Sequence, residues 1–210
     1  MMPKGKKSAV SATANNKEPR PAVFLDRDGT IIEEVGYIDT PEKVRLLPGA
    51  VEAIGIFRQL QCWVLVLSNQ SGVARGFFPE SRVAAVNAHL QQLLRLQGVE
   101  VDAFYYCPHH PEAHLPAYRI QCECRKPRPG MIQQAMRDFP VIPSRSVIIG
   151  DRYSDVEAGK QMHLTAILVR TGYGANEYAL YRTDTARIQP DFVAADLLEA
   201  ARWVENRLRE

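Results

Sequence analysis

Short, continuous apolar runs alternate along this chain with segments of helical periodicity. The runs predict strands, because buried parallel strands are apolar on both faces. We expect strands at residues 22–25, 63–67, 103–106, 147–149 and 166–169, with a weaker sixth at 191–193. We expect helices at residues 48–60, 79–96, 131–139, 154–161 and 197–208. This alternation predicts an α/β fold, a doubly wound, mostly parallel sheet with helices on both faces.

Polar sequences follow four of the predicted strands. In chain order they read DRDGT, SNQSG, CPHH and GDRYSD. Doubly wound sheets bind their ligands outside the carboxyl ends of the strands, near the point where the strand order reverses. We therefore expect these four sequences to meet at one site.

The chain has 210 residues, a length that suits one α/β domain. Residues 1–20 are polar, small and basic, so we expect a disordered tail there and a single domain over residues 21–210. A basic arm that binds phosphate or RNA is the alternative interpretation of the tail.

Charge and composition limit the partners. The formal net charge of +2 gives no broad basic field of the kind that binds nucleic acid or anionic membranes. No apolar stretch approaches the about 20 residues that span a bilayer. The four cysteines do not form the even framework of a small secreted domain. We expect a cytoplasmic protein that acts as a monomer on a small molecule.

Two pairs of carboxylates follow the first and fourth predicted strands: Asp26 with Asp28, and Asp151 with Asp155. Alone, DRDG is also typical of a surface turn with capping aspartates. Crowded carboxylates repel one another, and a hard divalent cation relieves that repulsion. The middle residue of an extended D-x-D segment points away, so both carboxylates share one side. The two pairs together favour a Mg²⁺ site that also receives a phosphate.

A second metal pattern, C-x-H-x12-C-x-C, is formed by Cys107, His109, Cys122 and Cys124. Three thiolates and one imidazole make a closed tetrahedral zinc set, so we expect a structural zinc loop at residues 107–124. The loop is poor in apolar residues, and zinc would order it. Buried structural cysteines or a redox pair are the alternatives, and His110 could replace His109. We expect Cys62 in the core.

Four motifs in order, FLDRDGT, VLSNQSG, RKPRPG and IIGDRYSD, resemble those of the haloacid dehalogenase superfamily of phosphatases over about residues 22–170. The resemblance implies that Asp26 is the nucleophile that accepts the phosphoryl group. It implies that Asp28 protonates the leaving alcohol and later takes a proton from water. Mg²⁺ would be held by Asp26, the backbone carbonyl of Asp28, and Asp151.

The same resemblance assigns the remaining parts of the site. Ser68 and Lys126 would hold the transferring phosphoryl oxygens. Asp155 would orient Lys126 or the metal shell, or would instead only stabilise a helix N-terminus. No large insertion separates the motifs, so we expect no separate cap domain.

Within the superfamily, a zinc loop followed by CRKP is similar to two groups, the phosphatases of D-glycero-D-manno-heptose 1,7-bisphosphate and those of histidinol phosphate. NQSGVARG, YYCPHHP and CRKPRPGM resemble the heptose group more closely. Arg75 suits a substrate with a second phosphate, whereas histidinol phosphate brings an ammonium and an imidazole. The implied reaction is hydrolysis of the C7 phosphate, in the synthesis of ADP- or GDP-heptose precursors for lipopolysaccharide core or a related glycan.

The resemblance implies ten substrate-contacting residues, namely Glu34, Tyr37, Ser68, Asn69, Gln70, Ser71, Arg75, Arg125, Lys126 and Arg152. Glu34 stands where aspartate is common and Arg152 where lysine is common, and both departures bear on fine specificity. Solvated surface arginines are the alternative for Arg75 and Arg152.

Two other functions are possible from the sequence, namely a nucleic-acid 3′-phosphatase and a non-catalytic, zinc-stabilised binding module. Charge disfavours the first, and the intact aspartates and lysine disfavour the second.

Overall fold

A computed structural model describes residues 5–8 and 18–209 of the chain. Its strands are β1 (Lys6–Ser8), β2 (Ala22–Leu25), β3 (Trp63–Asn69), β4 (Ala103–Cys107), β5 (Val147–Gly150), β6 (Thr165–Val169) and β7 (Phe192–Ala194). Its α-helices are α1 (Ala50–Gln59), α2 (Ser71–Ala74), α3 (Glu80–Leu96), α4 (Gly130–Asp138), α5 (Tyr153–Lys160), α6 (Gly174–Tyr181) and α7 (Leu197–Arg209).

The strands form one sheet in the order β1-β4-β3-β2-β5-β6-β7. Strands β2 to β7 pair in parallel, and β1 pairs antiparallel to β4 at one edge. The order reverses beside β2, whose neighbours are β3 and β5. The expected doubly wound, mostly parallel sheet is confirmed.

Two apolar layers cover the sheet because successive side chains of each central strand point to opposite faces. Val23 and Leu25 of β2 pack in the layer that contains α1, α3 and α7. Ala22 and Phe24 pack in the opposite layer, with α4 and α5. Full burial of a side chain such as Phe24 contributes about 1.5–3 kcal/mol relative to exposure. Both layers hold the central strand ends rigidly.

The six expected strands are confirmed, with ends that shift by one or two residues, and so are the five expected helices. Two helices were not predicted from the sequence. Helix α2 has four residues, too few to display a period. Helix α6 fully buries only Gly174, and its Tyr178 and Tyr181 pack on the core while partly exposed.

The expectation of a disordered tail over residues 1–20 is wrong for residues 6–8, which form β1. The backbone of this segment extends the sheet past β4, and its lysines find acidic partners. Lys6 pairs with Glu80 at 2.7 Å and Lys7 with Asp138 at 3.0 Å. Residues 1–4 and 9–17, which belong to the same expected tail, lie outside the described residues.

Between β2 and α1 the chain forms a short flap rather than a folded domain. Isolated bridges join Asp28 to Ile32 and Ile32 to Leu46, and one 3-10 turn covers Pro41–Lys43. The flap therefore stays beside the carboxyl end of β2. Among the described helices none is long and apolar enough to cross a membrane.

Candidate active site

The ends of β2, β3 and β5 bring the expected residues together. Asp26 follows β2, Ser68 lies near the end of β3, and Asp151 follows β5. Since β2 pairs with both β3 and β5, these three residues share one edge of the sheet. Asp26 and Ser68 line a cavity of about 440 Å³ at this edge, and Asp151 is buried outside its lining.

Lys126 joins two of the carboxylates. Its Nζ lies 2.5 Å from Asp26 Oδ1 and 2.5 Å from Asp155 Oδ1, and it donates a hydrogen bond of 2.6 Å to the carbonyl oxygen of Leu67. Asp155 Oδ2 also accepts from the backbone N–H of Arg152 at 3.2 Å. Asp155 thus contacts both the lysine and the first turn of α5, and its role in orienting the lysine stays a prediction.

The pKa values of two carboxyl groups in the site, those of Asp26 and Asp151, are raised. Burial raises the pKa of Asp26 to about 7, and the charge of Lys126 opposes the shift while Asp155 and Asp28 add to it. Burial raises the pKa of Asp151 to about 8, with repulsion from Asp26 and Asp155 in the same direction. Such a cluster favours a bound cation, because a cation relieves both the desolvation and the repulsion.

The surroundings of Asp151 fit a divalent cation. Its Oδ2 accepts from the backbone N–H of Tyr173 at 2.8 Å, whereas its buried Oδ1 has no hydrogen-bond partner within the part of the chain that is described. Gly29 and Gly172 both have positive φ, and a Cβ at either would lie 2.2 Å from Asp151 Oδ2. The backbone thus crowds one oxygen and leaves the other free for a ligand. Carboxylate oxygens are the donors that Mg²⁺ prefers.

Asp28 is held by three side chains. Arg27 donates from Nε to Oδ1 at 3.2 Å and from Nη2 to both oxygens at 3.0 Å. Gln70 Nε2 donates to Asp28 Oδ2 at 2.9 Å, and Ser68 Oγ lies 3.3 Å from the same oxygen. The middle residue of D-x-D was expected to point away from the carboxylates. Instead the long side chain of Arg27 folds back onto Asp28, which the sequence does not signal.

Nine of the ten expected substrate-contacting residues line the cavity, and the tenth, Arg75, lies outside its lining. Further lining residues that were not predicted from the sequence include Arg27, Tyr153, Glu157, Tyr173, Glu177 and Arg187. Most of these come from α5, from α6 and from the segments next to it. A signal for this wall exists in the sequence, because RTGYG follows β6 as the other polar sequences follow their strands.

Arginines and tyrosines form one wall of the cavity. The guanidinium of Arg152 lies 3.8 Å from the ring centre of Tyr173, and Arg187 lies 4.0 Å from that of Tyr181. Arg187 also pairs with Glu157 at 2.8 Å. These contacts hold guanidinium groups in fixed positions, because the planar cation stacks on an aromatic face.

Arg125 lies next to Lys126, and its Nη1 donates to the carbonyl oxygen of His109 at 3.3 Å. Burial lowers the pKa of Arg125, and the like charges of Arg75 and Arg152 lower it further, against the opposing effect of the nearby cysteine groups. Positive charges that oppose one another in this way favour a bound anion. The region beside the carboxylates is therefore suited to a second negatively charged group.

The expected Cys3His set is assembled in the structure from Cys107, His109, Cys122 and Cys124. All four side chains are buried, and their ligand atoms lie within 4.8 Å of one another. The three sulfur–sulfur distances are 3.1, 3.3 and 3.4 Å, and His109 Nδ1 lies 3.4 Å from Cys124 Sγ. A tetrahedral zinc site has edges of about 3.8 Å between sulfurs. The four groups can hold a metal ion, and His109 rather than His110 is the imidazole among them.

The pKa values of the thiols also favour a cation among these four residues. Hydrogen bonding with Cys122 and Cys124 raises the pKa of Cys107, and hydrogen bonding with Cys107 and Cys124 lowers the pKa of Cys122. Thiols this close cannot all ionise unless a cation neutralises them. All four cysteines of the chain are free of disulfides, and Cys62 is buried in the core as expected.

Fold and site together define a HAD-like hydrolase, and the family model described as HAD-hydrolase-like matches residues 123–200. The D-glycero-beta-D-manno-heptose-1,7-bisphosphate 7-phosphatase of Rhodopseudomonas palustris is 47% identical over 141 residues, which cover 67% of this chain and 78% of that protein. The D-glycero-D-manno-heptose-1,7-bisphosphate 7-phosphatase of Thermosynechococcus vestitus is 38% identical over 194 residues, covering 90% of this chain and 98% of that protein.

A solved structure agrees with these relatives. The D,D-heptose 1,7-bisphosphate phosphatase of B. bronchiseptica, complexed with magnesium and phosphate, superposes with a TM-score of 0.79 at 30% identity. The match covers 90% of this chain and 99% of that one. The chain belongs to the family of heptose-1,7-bisphosphate 7-phosphatases within the HAD-like hydrolases.

Proposed function

We propose that the protein is a Mg²⁺-dependent phosphatase that removes the C7 phosphate of D-glycero-D-manno-heptose 1,7-bisphosphate. Support comes from the relatives that carry this name and from the neighbour complexed with magnesium and phosphate. The observation that carries the chemistry is the contact of Lys126 with Asp26. A buried ammonium beside a buried carboxylate keeps that carboxylate available as a nucleophile.

In the first step, a carboxylate oxygen of Asp26 attacks the phosphorus of the C7 phosphate. The bond between phosphorus and the C7 oxygen breaks, and its electron pair stays on that oxygen. Asp28 gives the oxygen a proton, so heptose 1-phosphate leaves with a free C7 hydroxyl. Ser68 and Lys126 donate hydrogen bonds to the phosphoryl oxygens as negative charge shifts between them.

In the second step, Asp28 takes a proton from a water molecule whose oxygen attacks the phosphorus of the aspartyl phosphate. The bond between Asp26 and phosphorus breaks, inorganic phosphate leaves, and both carboxyl groups return to their starting states. One water is consumed for each phosphate released, and no other reactant is required.

Asp26, the backbone carbonyl of Asp28, and Asp151 would hold the Mg²⁺. When bound, the ion neutralises negative charge on the phosphoryl group and on the aspartates. The free Oδ1 of Asp151 and the raised pKa values of Asp26 and Asp151 support this assignment.

We further propose that the Cys107 cluster holds a structural Zn²⁺. The set is closed by four protein ligands, so it leaves no position for a substrate. Its role would be to fix the chain just before Arg125 and Lys126, since Cys124 immediately precedes Arg125 and the His109 carbonyl accepts from that arginine. Arg125 and Arg152 would bind the phosphate that remains on C1, and the flap residues Glu34 and Tyr37 would enclose the sugar.

Phosphate release from a small substrate panel tests the proposal. Purified protein with Mg²⁺ is given heptose 1,7-bisphosphate, histidinol phosphate and a 3′-phosphorylated oligonucleotide, and Asp26→Asn serves as the background. We expect release from the heptose alone, with the C1 phosphate retained in the product. Faster release from histidinol phosphate would replace the proposed substrate, and equal release by Asp26→Asn would show that the phosphate comes from a contaminant.

A further inference from the structure

Arg27 is an arginine buried in the middle of the nucleophile motif. Only 1% of its surface is exposed, although it lies between the two aspartates at the cavity. Its guanidinium donates hydrogen bonds from Nε and Nη2 to the carboxylate of Asp28, and from Nη1 to Oδ1 of Asn87 at 2.8 Å. Asn87 lies on α3 and is itself buried, outside the cavity lining. One side chain therefore connects the site to a helix of the scaffold.

Burying a guanidinium is unfavourable unless its charge is paired and its N–H groups are satisfied. Arg27 meets both conditions when Asp28 is ionised, the form that takes a proton from water, because Asp28 then supplies the charge and Asn87 supplies a further acceptor. Most of its planar fork is thereby fixed. Arg27 can therefore act as a rigid support and not merely as a neutralising charge.

The proposed chemistry requires such a support. The terminal torsion of an aspartate is broad, so a carboxyl group rotates unless neighbours fix its plane. Asp28 must deliver a proton in one step and accept one in the next, at the same point in space. A displacement of about 1 Å can cost about 100-fold in rate.

We propose that Arg27 and Asn87 are positioning residues that fix the plane of the Asp28 carboxyl group for proton transfer. This inference rests on the proposed two-step phosphatase chemistry and goes beyond it, because it assigns a role to a helix residue that lies outside the cavity. Asn87 holds Arg27, and Arg27 holds Asp28. Loss of either residue affects the proton transfers more than it affects substrate binding.

Asn87→Leu is the principal test, since it removes the acceptor for Arg27 without changing the cavity lining. Gln91→Leu is its matched control, because Gln91 is also a buried amide on α3. Its hydrogen bonds go to the backbone of Val101, away from the site. Both variants remove a buried amide from one helix, and only Asn87→Leu loosens Arg27.

The readout is the dependence of kcat/KM on the leaving group, measured from p-nitrophenyl phosphate to phenyl phosphate to an alkyl phosphate. A p-nitrophenolate leaves without a proton, whereas an alkoxide needs one from Asp28. For Asn87→Leu we expect kcat/KM to fall about 10- to 100-fold for the alkyl ester and to stay within about threefold for the nitrophenyl ester. For the alkyl ester, whose phosphoryl transfer is itself slowed, KM should stay near that of the wild type.

Arg27→Lys and Arg27→Met give the second comparison, with thermal melting measured for every variant. Lysine keeps the charge but loses the fork, so we expect it to share the steeper leaving-group dependence. Arg27→Met would leave Asp28 without its buried charge partner, and a failure of that variant to fold leaves the test to Asn87→Leu and Arg27→Lys.

An equal loss on every ester, or the same loss in Gln91→Leu, would overturn the inference. The series also separates the two proposals. Aryl ester hydrolysis without heptose bisphosphate hydrolysis would refute the proposed substrate and leave the positioning test intact. A wild-type protein that hydrolyses neither these esters nor heptose bisphosphate would overturn both.

Discussion

The Nζ atom of Lys126 lies 2.5 Å from Oδ1 of Asp26, although 100 residues separate them in the chain, and both side chains are nearly inaccessible to solvent. The contact exists because the end of β2 and the segment after Cys124 meet at one edge of the sheet. Burial opposes the charge of Lys126, but Asp155 and Asp26 overcome that effect and raise its pKa. The two carboxylates therefore favour the charged form of the lysine.

Lys126→Met should remove both activity and stability. The variant leaves Asp26 and Asp155 buried without their cation, and breaking a buried ion pair from one side costs about 3–5 kcal/mol. We expect phosphate release to fall at least about 100-fold, because a preorganised charge beside the transferring group is lost. Urea denaturation and steady-state kinetics check the two effects. Lys43→Met, which breaks an exposed pair with Asp39, is the control and should change neither.

Asp26→Asn and Asp28→Asn should fail at different steps. Without the Asp26 carboxylate no covalent intermediate forms, so no phosphate is transferred from any ester. Without the Asp28 carboxylate a p-nitrophenyl ester can still phosphorylate Asp26, but water attack on the product loses its base. Rapid mixing should show one equivalent of p-nitrophenol from Asp28→Asn and none from Asp26→Asn. Multiple turnovers by Asp28→Asn at the wild-type rate would refute its assignment.

Mg²⁺ should stabilise the protein more as pH rises. The pKa values of Asp26 and Asp151 are about 7 and about 8, above the ordinary 3.8 of an aspartate. Between pH 3.8 and these raised pKa values, the folded, metal-free protein therefore binds more protons than the unfolded chain. Its stability therefore falls as pH rises from about 4 to about 8. A cation replaces those protons, and the gain in melting temperature with MgCl₂ should grow across this window and level off above it.

Thermal melting from pH 5 to pH 9, with and without MgCl₂, measures this dependence. The protein should be freed of Mg²⁺ by gel filtration, so that no chelator strips the cysteine cluster. Asp151→Asn should weaken the Mg²⁺ effect at every pH. A gain that is largest at pH 5 would contradict the assignment of these two carboxylates to the cation.

The parts of the site that repeat a simple rule are predictable from the sequence. Polar residues after buried parallel strands meet at one edge, and this rule places Asp26, Ser68 and Asp151 together. The contact of Arg27 with Asp28 is not predictable in this way. Strand alternation fixes the direction of the Cα–Cβ bond but not the position of a long side chain's terminal group. The cavity wall that includes Arg187 is not predictable from periodicity. It belongs to the region of α6, a helix that fully buries only Gly174.

Cys122→Ser should unfold the loop before it affects the chemistry. Cys122 is one of the four buried residues that we propose as zinc ligands, and a structural zinc site contributes directly to the free energy of folding. We expect loss of bound zinc, a lower melting temperature, and a fall in activity that follows the unfolded fraction. Cys62→Ser is the control, because Cys62 lies in the core apart from the cluster and should leave zinc content unchanged. Native zinc content and melting temperature in Cys122→Ser would refute the structural role.

Arg125 should matter more than Arg75 for binding the second phosphate. Arg125 lines the cavity and is half-buried, whereas Arg75 lies outside the lining. Arg125→Met should raise KM for the heptose bisphosphate about tenfold or more, since a hydrogen bond to a charged group contributes about 1.5–3 kcal/mol. KM for p-nitrophenyl phosphate, which has no second phosphate, should change much less. Arg75→Met is the matched comparison, because Arg75 lies outside the cavity lining, and we expect it to raise KM for the heptose bisphosphate less than Arg125→Met does. A larger rise in KM for Arg75→Met than for Arg125→Met would show that Arg75, as the sequence predicts, binds the second phosphate.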